Sequence, residues 1–444
     1  MSHPAPPDAL HHALDKFLTP QVWKQAHQLW GLTNQAARWR LQPLVWVLLT
    51  MTWCVGQTQE ERFAAARSVY VAHHQRSRRP GKTLAGFLTA LDKLPLPVLR
   101  VLARGVRQRL GDLWVEALRL GAGGWLPLAC DGSRIECPRS APLQQRLGEA
   151  GKPGSAPTVY VTTLVLLPLG LVWSWCWGKG TASELEHLRR LLPTLPRRTL
   201  VVADAGFLGY DLFRAIAAAP AAFLVRLSSR ASLYTATQVP LASWTEGVVY
   251  YWPKVIQDQG LPPLTARLLR VAGAKADVWL LTNVLEPEQL SRRTAGLVYR
   301  WRWRNEGLFR DYKRLLAKVK LSGRTVASVH REAEGSLLAL QLLLAVAVSS
   351  PASQPLALPG SPRRELLRLR GAITAALRSL GPRQLAQYQQ MLQVVRNKER
   401  PQRVSAKVRQ KWARRAEHKP PKPPKLREMS DALKAKLAKR LGAA

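Results

Sequence analysis

Acidic residues and sulfur are scarce in this chain of 444 residues: 28 Asp and Glu stand against 67 Lys and Arg, with four cysteines and four methionines. Cys54, Cys130, Cys137 and Cys176 contain no Cys-x-x-Cys pair, so neither a zinc ribbon nor a disulfide framework is expected, and a reducing cytosol fits. Long apolar runs are missing too. Leu41 to Val55 is too short to span a bilayer comfortably, and Val159 to Trp177 is broken by Pro168 and Gly170 and reads as two strands. Met1 to Leu18 is rich in Pro and His without a continuous apolar region, so no secretory leader is expected. With a membrane partner set aside, the formal charge of +39 points to a polyanion, nucleic acid first.

A chain this long exceeds one hydrophobic core and predicts two or three folding units. Residues 1–120 read as a helical domain suited to binding a DNA end, with apolar spacing of three to four through Phe63, Ala64, Val69 and Val71 and again through Leu84, Phe87, Leu88 and Leu91. The basic stretch Arg76 to Lys82 lies between these runs and fits either a solvated turn or a phosphate-contacting loop.

From Gly123 the period changes. Trp125 to Cys130 is a short apolar run that delivers Asp131 at its tip, followed by a polar loop to Pro157 and two strands, Val159 to Leu167 and Leu171 to Trp177, joined as a hairpin. Ser183 caps a helix whose first turn holds Glu184 and Glu186, and whose buried face is Leu185, Leu188, Leu191 and Leu192. A further buried strand, Leu200 to Ala203, ends in Asp204. Helix Tyr210 to Ala218 and strand Ala222 to Leu227 follow. This order, with acids at the ends of the first and fourth strands, is that of a ribonuclease-H-like core: an α/β fold with a mixed sheet flanked by helices. There the first and fourth strands lie side by side, about 4.8 Å apart, close enough for two carboxylates to share a metal. The expected core covers 121–228 and 279–349, with 229–278 as an inserted all-β subdomain.

The helix expected from about Gln289 carries Tyr299, Arg302, Glu306 and Lys313, which share one face of a helical wheel. From Arg292 through Arg331 the acids are Glu306 and Asp311 alone, so Glu306 is the sole acid on that face. A solvated charged helix would show similar spacing, but a carboxylate ligand set among phosphate-binding cations accounts for the charge better.

Tyr-x2-Arg-x3-Glu-x6-Lys, running from Tyr299 to Lys313, resembles the YREK signature of insertion-sequence transposases of the fourth family, within the DDE superfamily. Leu128-Ala-Cys-Asp-Gly132 and Val201-Val-Ala-Asp-Ala-Gly-Phe207 are similar to that family's first two acid motifs. Phe223-Leu-Val-Arg226 and Trp279-Leu-Leu-Thr-Asn283 are similar to the strands flanking its β insertion. The resemblance spans about Leu126 to Leu344. It implies a cut-and-paste transposase in which Asp131, Asp204 and Glu306 hold two Mg²⁺ or Mn²⁺ ions, hard cations that suit carboxylates. Asp131 would bridge them, and water or a DNA 3′-hydroxyl would be the nucleophile. Tyr299, Arg302, Lys313 and Arg310 would bind DNA at the transposon terminus as a hairpin end forms and reopens. In that family a Trp of the insertion stacks on a flipped base; Trp244 and Trp252 are the candidates, and each also fits an ordinary core aromatic. Terminal inverted repeats and target DNA as partners, a homodimer on DNA, and a cytoplasmic, nucleoid-associated prokaryotic setting belong to the same expectation. A different ribonuclease-H-like nuclease and a catalytically inactive DNA-binding regulator are the alternatives; the YREK face opposes the first and the full set of three acids the second.

Residues 350–395 read as a Pro- and Ser-rich linker and C-terminal helices, and 396–444 as a disordered basic tail. From Arg396 to Arg440 the tail has 17 Lys or Arg against four acids. If it neutralises phosphates, removing Arg396 to Ala444 flattens the slope of log DNA affinity against log salt, because fewer counterions are released on binding. A titration of affinity against salt with both forms checks this, and an unchanged slope would show that the tail does not touch DNA.

Overall fold

The structure is a computed structural model that describes residues 14–31, 37–74, 78–120, 123–148, 154–167, 169–273, 276–348, 362–396 and 422–441. Arg76 and Ser77 of the basic stretch 76–82, and most of the tail, 397–421, lie outside the described residues.

The first segment is helical, as its spacing predicts. Helix α1 (Pro20–Trp30) starts on the Thr19 side chain, which accepts from the Val22 amide, and stops at Gly31, whose φ of 60° suits a residue without a Cβ. Helix α2 (Leu41–Trp53) is buried along almost its whole length, so it forms the centre of a bundle. Helix α3 (Gln59–His73) begins with a reciprocal capping box between Thr58 and Glu61. Helices α4 (Leu84–Lys93) and α5 (Leu96–Leu120) complete this part.

The core follows. Strand β1 (Leu126–Glu136) runs past Asp131 to Glu136, five residues further than its apolar pattern predicts, because its second half stays paired with a neighbour while losing burial. After α6 (Ala141–Leu147) come β2 (Thr158–Leu166) and β3 (Leu171–Lys179), then α7 (Glu184–Leu191), β4 (Thr199–Ala203), α8 (Tyr210–Ala218) and β5 (Ala221–Arg226). β1 is antiparallel to β2 and parallel to β4; β4 is parallel to β5. The resulting order, β3-β2-β1-β4-β5, is the one the alternation of acids and strands predicts.

Strands β6 (Ser232–Thr235), β7 (Glu246–Tyr251) and β8 (Leu264–Val271), with the short helix α9 (Lys254–Asp258), fall in the segment expected as an inserted all-β subdomain, and β9 (Val278–Thr282) in the segment expected to return to the core. β9 is antiparallel to β5 on one side and to β8 on the other, so the inserted strands lengthen the core sheet to ten strands, in the order β10-β6-β7-β8-β9-β5-β4-β1-β2-β3. No edge is left between β5 and β8 at which a second sheet could start.

Helices α10 (Arg292–Trp301) and α11 (Trp303–Arg314) replace the single helix expected from Gln289, and α12 (Val326–Val348) is a long buried helix. α13 (Pro362–Arg378) and α14 (Pro382–Arg396) pack on the N-terminal bundle. The tail departs from its disordered reading over 422–441: β10 (Lys425–Glu428) pairs in parallel with β6, and α15 (Asp431–Leu441) follows. Removing the tail from Arg396 would therefore also strip an edge strand from the sheet. Glutamine substitution of the cations in 396–421 is the cleaner form of the salt experiment.

Apolar side chains alternate between the two faces of the sheet. Leu200, Val202, Leu224 and Leu280 pack with Val298 and Tyr299 of α10. Val201, Phe223 and Val225 join the larger core on the opposite face, where Phe213 of α8 stacks on Phe223 with ring centroids 4.2 Å apart.

The turn after α11 is fixed by a buried ion pair. Lys318 Nζ donates to Glu332 Oε1 at 2.7 Å, while the Ser322 and Gly323 amides donate to Oε2 at 2.7 and 2.9 Å. Burial alone would raise the Glu332 pKa. The Lys318 charge and the three hydrogen bonds outweigh it and hold the carboxyl below its ordinary 4.5. A depressed folded-state pKa gives stability that is present above 4.5 and lost as pH falls through the lower folded value. Glu332→Ala should destabilise by about 3–5 kcal/mol near neutral pH, since it strands a buried ammonium. In urea unfolding, the gap between the unmodified protein and Glu332→Gln should close as pH drops below that range; parallel pH curves would contradict this account.

Candidate active site

β1 and β4 pair in parallel with Leu126 opposite Thr199 and Ala129 opposite Val202, a constant offset of 73 positions. The same offset carried two residues further sets Asp131 level with Asp204, where adjacent strands lie about 4.8 Å apart. Each aspartate is oriented by a backbone amide close by in the chain. Asp131 Oδ1 accepts from the Gly132 amide at 2.8 Å, and Asp204 Oδ1 accepts from the Gly206 amide at 2.8 Å as it caps a short turn over Ala205–Phe207. Burial pushes the Asp131 pKa up to about 6; the Gly132 amide and Arg302 oppose this, and the charges of Asp204 and Glu184 add to it. Crowded negative charge in a half-dry setting is a site suited to a cation.

Glu184 is the member that sequence reasoning missed. At the first position of α7 it reads as an ordinary acid in a first turn, which complements the helix dipole. Its carboxylate also lies between the glycines beside the two aspartates. A Cβ on Gly132 would run into Glu184 Oε1 and the Tyr160 hydroxyl, and a Cβ on Gly206 would stand 3.8 Å from Glu184 Oε2. Glycine follows Asp131 because this carboxylate needs the space. Burial raises the Glu184 pKa and Asp204 adds to it, while the Tyr160 hydroxyl and Arg134 oppose both. Arg134 in turn lies over the Tyr160 ring at 4.8 Å and donates to Gly180 O. The available signal was the placement of an acid at a helix start directly after the hairpin, with glycine beside each aspartate.

Tyr299, Arg302, Glu306 and Lys313, expected on one face of a single helix, are divided between two helices. At Arg302 the backbone amide bonds to Tyr299 O, three residues back, so α10 ends and α11 begins anew. Tyr299 is buried against the sheet and Arg302 is buried beside it, with the guanidinium 5.6 Å from the Tyr299 ring. Burial works against the Arg302 charge, but Tyr299, Asp131 and Asp204 outweigh it and raise its pKa. Arg302 Nη2 stands 3.8 Å from Glu306 Oε1, so this one cation faces Glu306 on α11 and both aspartates on the sheet. Glu306 itself is half exposed. Lys313 reaches across to β1, where its Nζ donates to Ser133 Oγ at 2.7 Å, two residues from Asp131. Arg310 is exposed, 3.9 Å from Asp311.

Trp244 and Trp252 are placed elsewhere. Both are buried in the sheet extension, and their indole N–H groups donate to Leu268 O and Leu261 O. A stacking role for either would require breaking its packing and its hydrogen bond. The exposed aromatic at the site is Trp303, 63 % accessible, with the Arg302 guanidinium 5.9 Å from its ring.

Among the described residues, no three His, Cys, Asp or Glu side chains close around one point at metal-binding spacing. The donors nonetheless fit a hard divalent cation by chemistry. They are carboxylates only, Asp131 on β1, Asp204 just past the end of β4, and Glu184 and Glu306 on helices alongside, and a cation would relieve what burial and the neighbouring acids do to the Asp131 carboxylate. The nearest sulfur, Cys130, is buried with its thiol pushed up by burial and by these same acids, so it is no ligand.

Residues 127–342 match the family model described as the transposase DDE domain, the stretch that holds all four carboxylates together with α10 and α11. Among solved structures, the chain is similar to a cryo-EM structure of the piggyBac transposase synaptic complex with hairpin DNA, at 12 % identity and a TM-score of 0.42, covering 87 % of this chain and 85 % of that one. No curated protein sequence matches the chain. No helix among the described residues is long and apolar enough to cross a membrane.

A carboxylate held in a half-dry setting costs stability, and at Asp131 burial is the larger part of that cost, with the repulsion from Asp204 and Glu184 adding to it. Asp131→Asn keeps an oxygen for the Gly132 amide and removes one charge, so in EDTA its melting temperature should rise by about 2 °C or more, on the usual scale of a few degrees per kcal/mol. The further rise that Mn²⁺ gives the unmodified protein should shrink in the variant. Differential scanning fluorimetry with and without Mn²⁺ measures both, and a fall in melting temperature in EDTA would contradict that cost.

Proposed function

We propose that this chain is a DNA transposase that cuts and rejoins DNA at the ends of an insertion sequence, as a homodimer on its DNA, in the cytoplasm of a prokaryotic cell at the nucleoid. The observation that carries the reading is the in-register pair Asp131 and Asp204, flanked by Glu184 and faced by Arg302 and Glu306. Asp131, Asp204 and Glu306 would hold two Mg²⁺ or Mn²⁺ ions, with Glu184 supporting them. When bound, such ions activate the attacking oxygen and stabilise the departing one.

The chain's own residues do the positioning. Arg302, buried and held charged by Tyr299 and the two aspartates, presents a guanidinium whose fork matches a phosphate, and a DNA phosphate entering the site would find it already oriented. Lys313, fixed to Ser133 on β1, sets the distance between α11 and the aspartates. Trp303 offers an exposed ring on which an extruded base can stack, in place of the tryptophan of the β insertion to which the resemblance assigns that role. In the first step water attacks the phosphodiester at the element's end, leaving a 3′-hydroxyl and a 5′-phosphate. The 3′-hydroxyl then attacks the phosphodiester of the opposite strand and displaces the 3′-oxygen of the flanking DNA to give a hairpin, water reopens it, and the freed 3′-hydroxyl joins the target by displacing a target 3′-oxygen.

In a cleavage assay on end-labelled transposon-end DNA with Mg²⁺, Asp131→Asn, Asp204→Asn and Glu306→Gln should each lose at least about a thousandfold in rate, the scale of several kcal/mol of lost stabilisation, while binding DNA nearly as before. Glu184→Gln should raise the Mn²⁺ concentration needed for half-maximal cutting by about 10–100-fold, as supporting groups of metal ligands do. Arg302→Ala should leave the first nick and let the nicked species accumulate. Near-normal cutting by any of the first three removes that residue from the site, and the absence of hairpin product from the unmodified protein refutes the hairpin route.

A further inference from the structure

Beside the site, α11 forms one wall of a second feature that the proposed chemistry does not use. A cavity of about 730 Å³ opens between the C-terminal end of α2, the start of α3, the second half of α11 and α13. Arg62, Arg310, Arg314, Arg363 and Arg370 line it, and Asp311 is the one acid in its wall. Two of the arginines are fixed by backbone carbonyls: Arg62 Nε donates to Gly56 O at 2.9 Å, and Arg370 donates to Trp53 O and Leu315 O at 3.0 and 3.1 Å. Those bonds orient the guanidinium groups without cancelling their charge. Burial lowers the Arg370 pKa and the neighbouring Arg62 lowers it further, with Cys54 opposing. Like charges are thus gathered from three separate stretches of chain around one space, and an anion is what would relieve them.

Cys54, in the same wall, is not the reason for the cavity. Burial pushes its thiol up to about 12 despite Arg62 and Arg370, so it is neither a nucleophile nor a thiolate ligand near neutral pH.

We infer that this arginine-lined cavity seats the phosphodiester backbone of the DNA strand about two to four nucleotides from the bond being cut. Arg310 and Arg314 follow Glu306 on α11 by four and eight residues, which places them about 40° and 80° around the helix and about 6 and 12 Å along it, on the same side. With the duplex axis along α11, a strand advances about 3.4 Å per nucleotide along that axis, so a strand that leaves Glu306 meets the cavity after about two nucleotides and has passed Arg314 after about four. Guanidinium forks suit successive phosphate oxygens. Val55 and Leu367, both largely exposed in the cavity wall, give apolar surface for the sugar face of the same strand. The strand is thereby held between the N-terminal bundle, the catalytic helix and α13, which ties those parts to one substrate. The inference rests on the proposed function for the position of the cut bond, and on the cavity alone for the binding of phosphate.

The test is equilibrium binding of a fluorescent transposon-end duplex in EDTA, where no cutting occurs, with the full chain and the variants Arg314→Glu and Arg363→Glu. Each should lose at least about tenfold in affinity at 0.1 M salt and lower the salt slope by about one, while Arg314→Lys recovers most of the loss. Neutral methylphosphonates placed singly along the strand should weaken binding to the unmodified protein at two to four nucleotides from the cut, and should have little further effect on Arg314→Glu, as coupling between the two changes requires. Should a charge reversal unfold the chain by circular dichroism, Arg314→Gln with the same methylphosphonate series takes its place. Unchanged affinity and slope in the variants overturn the inference. So does tight tripolyphosphate binding in the cavity with no sensitivity to the methylphosphonates, which would assign it to a free polyphosphate. A chain that binds DNA through Arg314 yet never cuts it would refute the proposed function and leave the phosphate site standing; a chain that cuts while these variants bind normally would do the reverse.

Discussion

Parallel pairing of β1 with β4 is the constraint on which the other features of the site depend. Each strand is fully buried up to its acid, so a one-residue slip would exchange its side chains between the two apolar cores, undo their packing and carry Asp131 away from Asp204. The register fixes both carboxylates at one level, and their burial together with the repulsion that follows explains the surroundings. Each aspartate accepts from a backbone amide close by in the chain, glycine leaves room for Glu184, and Arg302 is buried where a bulk apolar residue would pack more easily. Hydrophobic burial on both faces of a ten-stranded sheet supplies the stability that holds such a charged centre together.

The core of this arrangement was legible because its signals are local. Apolar runs ending in Asp131 and Asp204, a hairpin punctuated at Pro168 and Gly170, and helices with Ser or Thr caps each carry their own physics within a few residues. What stayed hidden depends on contacts distant in sequence. Glu184 is indistinguishable from a dipole-complementing acid until Gly132 and Gly206 are brought against it. The break at Arg302 has no Pro or Gly to announce it; the pull of two aspartates on a buried guanidinium accompanies it, and a wheel drawn through an unbroken helix could not include that. Strands β6 to β8 show a β pattern, but whether they begin a new sheet or extend the old one is decided by β9 finding partners on both sides. Lys425–Glu428 looks like part of a polar tail, and its strand form comes from pairing with β6. Trp244 and Trp252 were ambiguous for the ordinary reason that an aromatic in a strand serves a core as readily as a ligand.

Charge is distributed with the same logic. The excess of 67 basic over 28 acidic residues could have been spread as a uniform solubilising coat. Part of it is instead concentrated on and beside α11. Arg302 and Lys313 face the carboxylates, while Arg310 and Arg314 turn toward α13 and the N-terminal bundle. One helix thus presents an acid beside Arg302 and cations to two neighbouring spaces. That arrangement suits a polyanion that passes through the site and onward, more than a small substrate enclosed within it.

The central claim is that Asp131 and Asp204 form a divalent-cation centre. The most direct measurement is an anomalous difference map, at the manganese edge, from crystals equilibrated with Mn²⁺. The account predicts a peak within ligand distance of both Asp131 and Asp204, with Glu184 or Glu306 completing its carboxylate surroundings. Saturating Mn²⁺ that leaves no peak between the two aspartates, or that binds only at other acids, would contradict it.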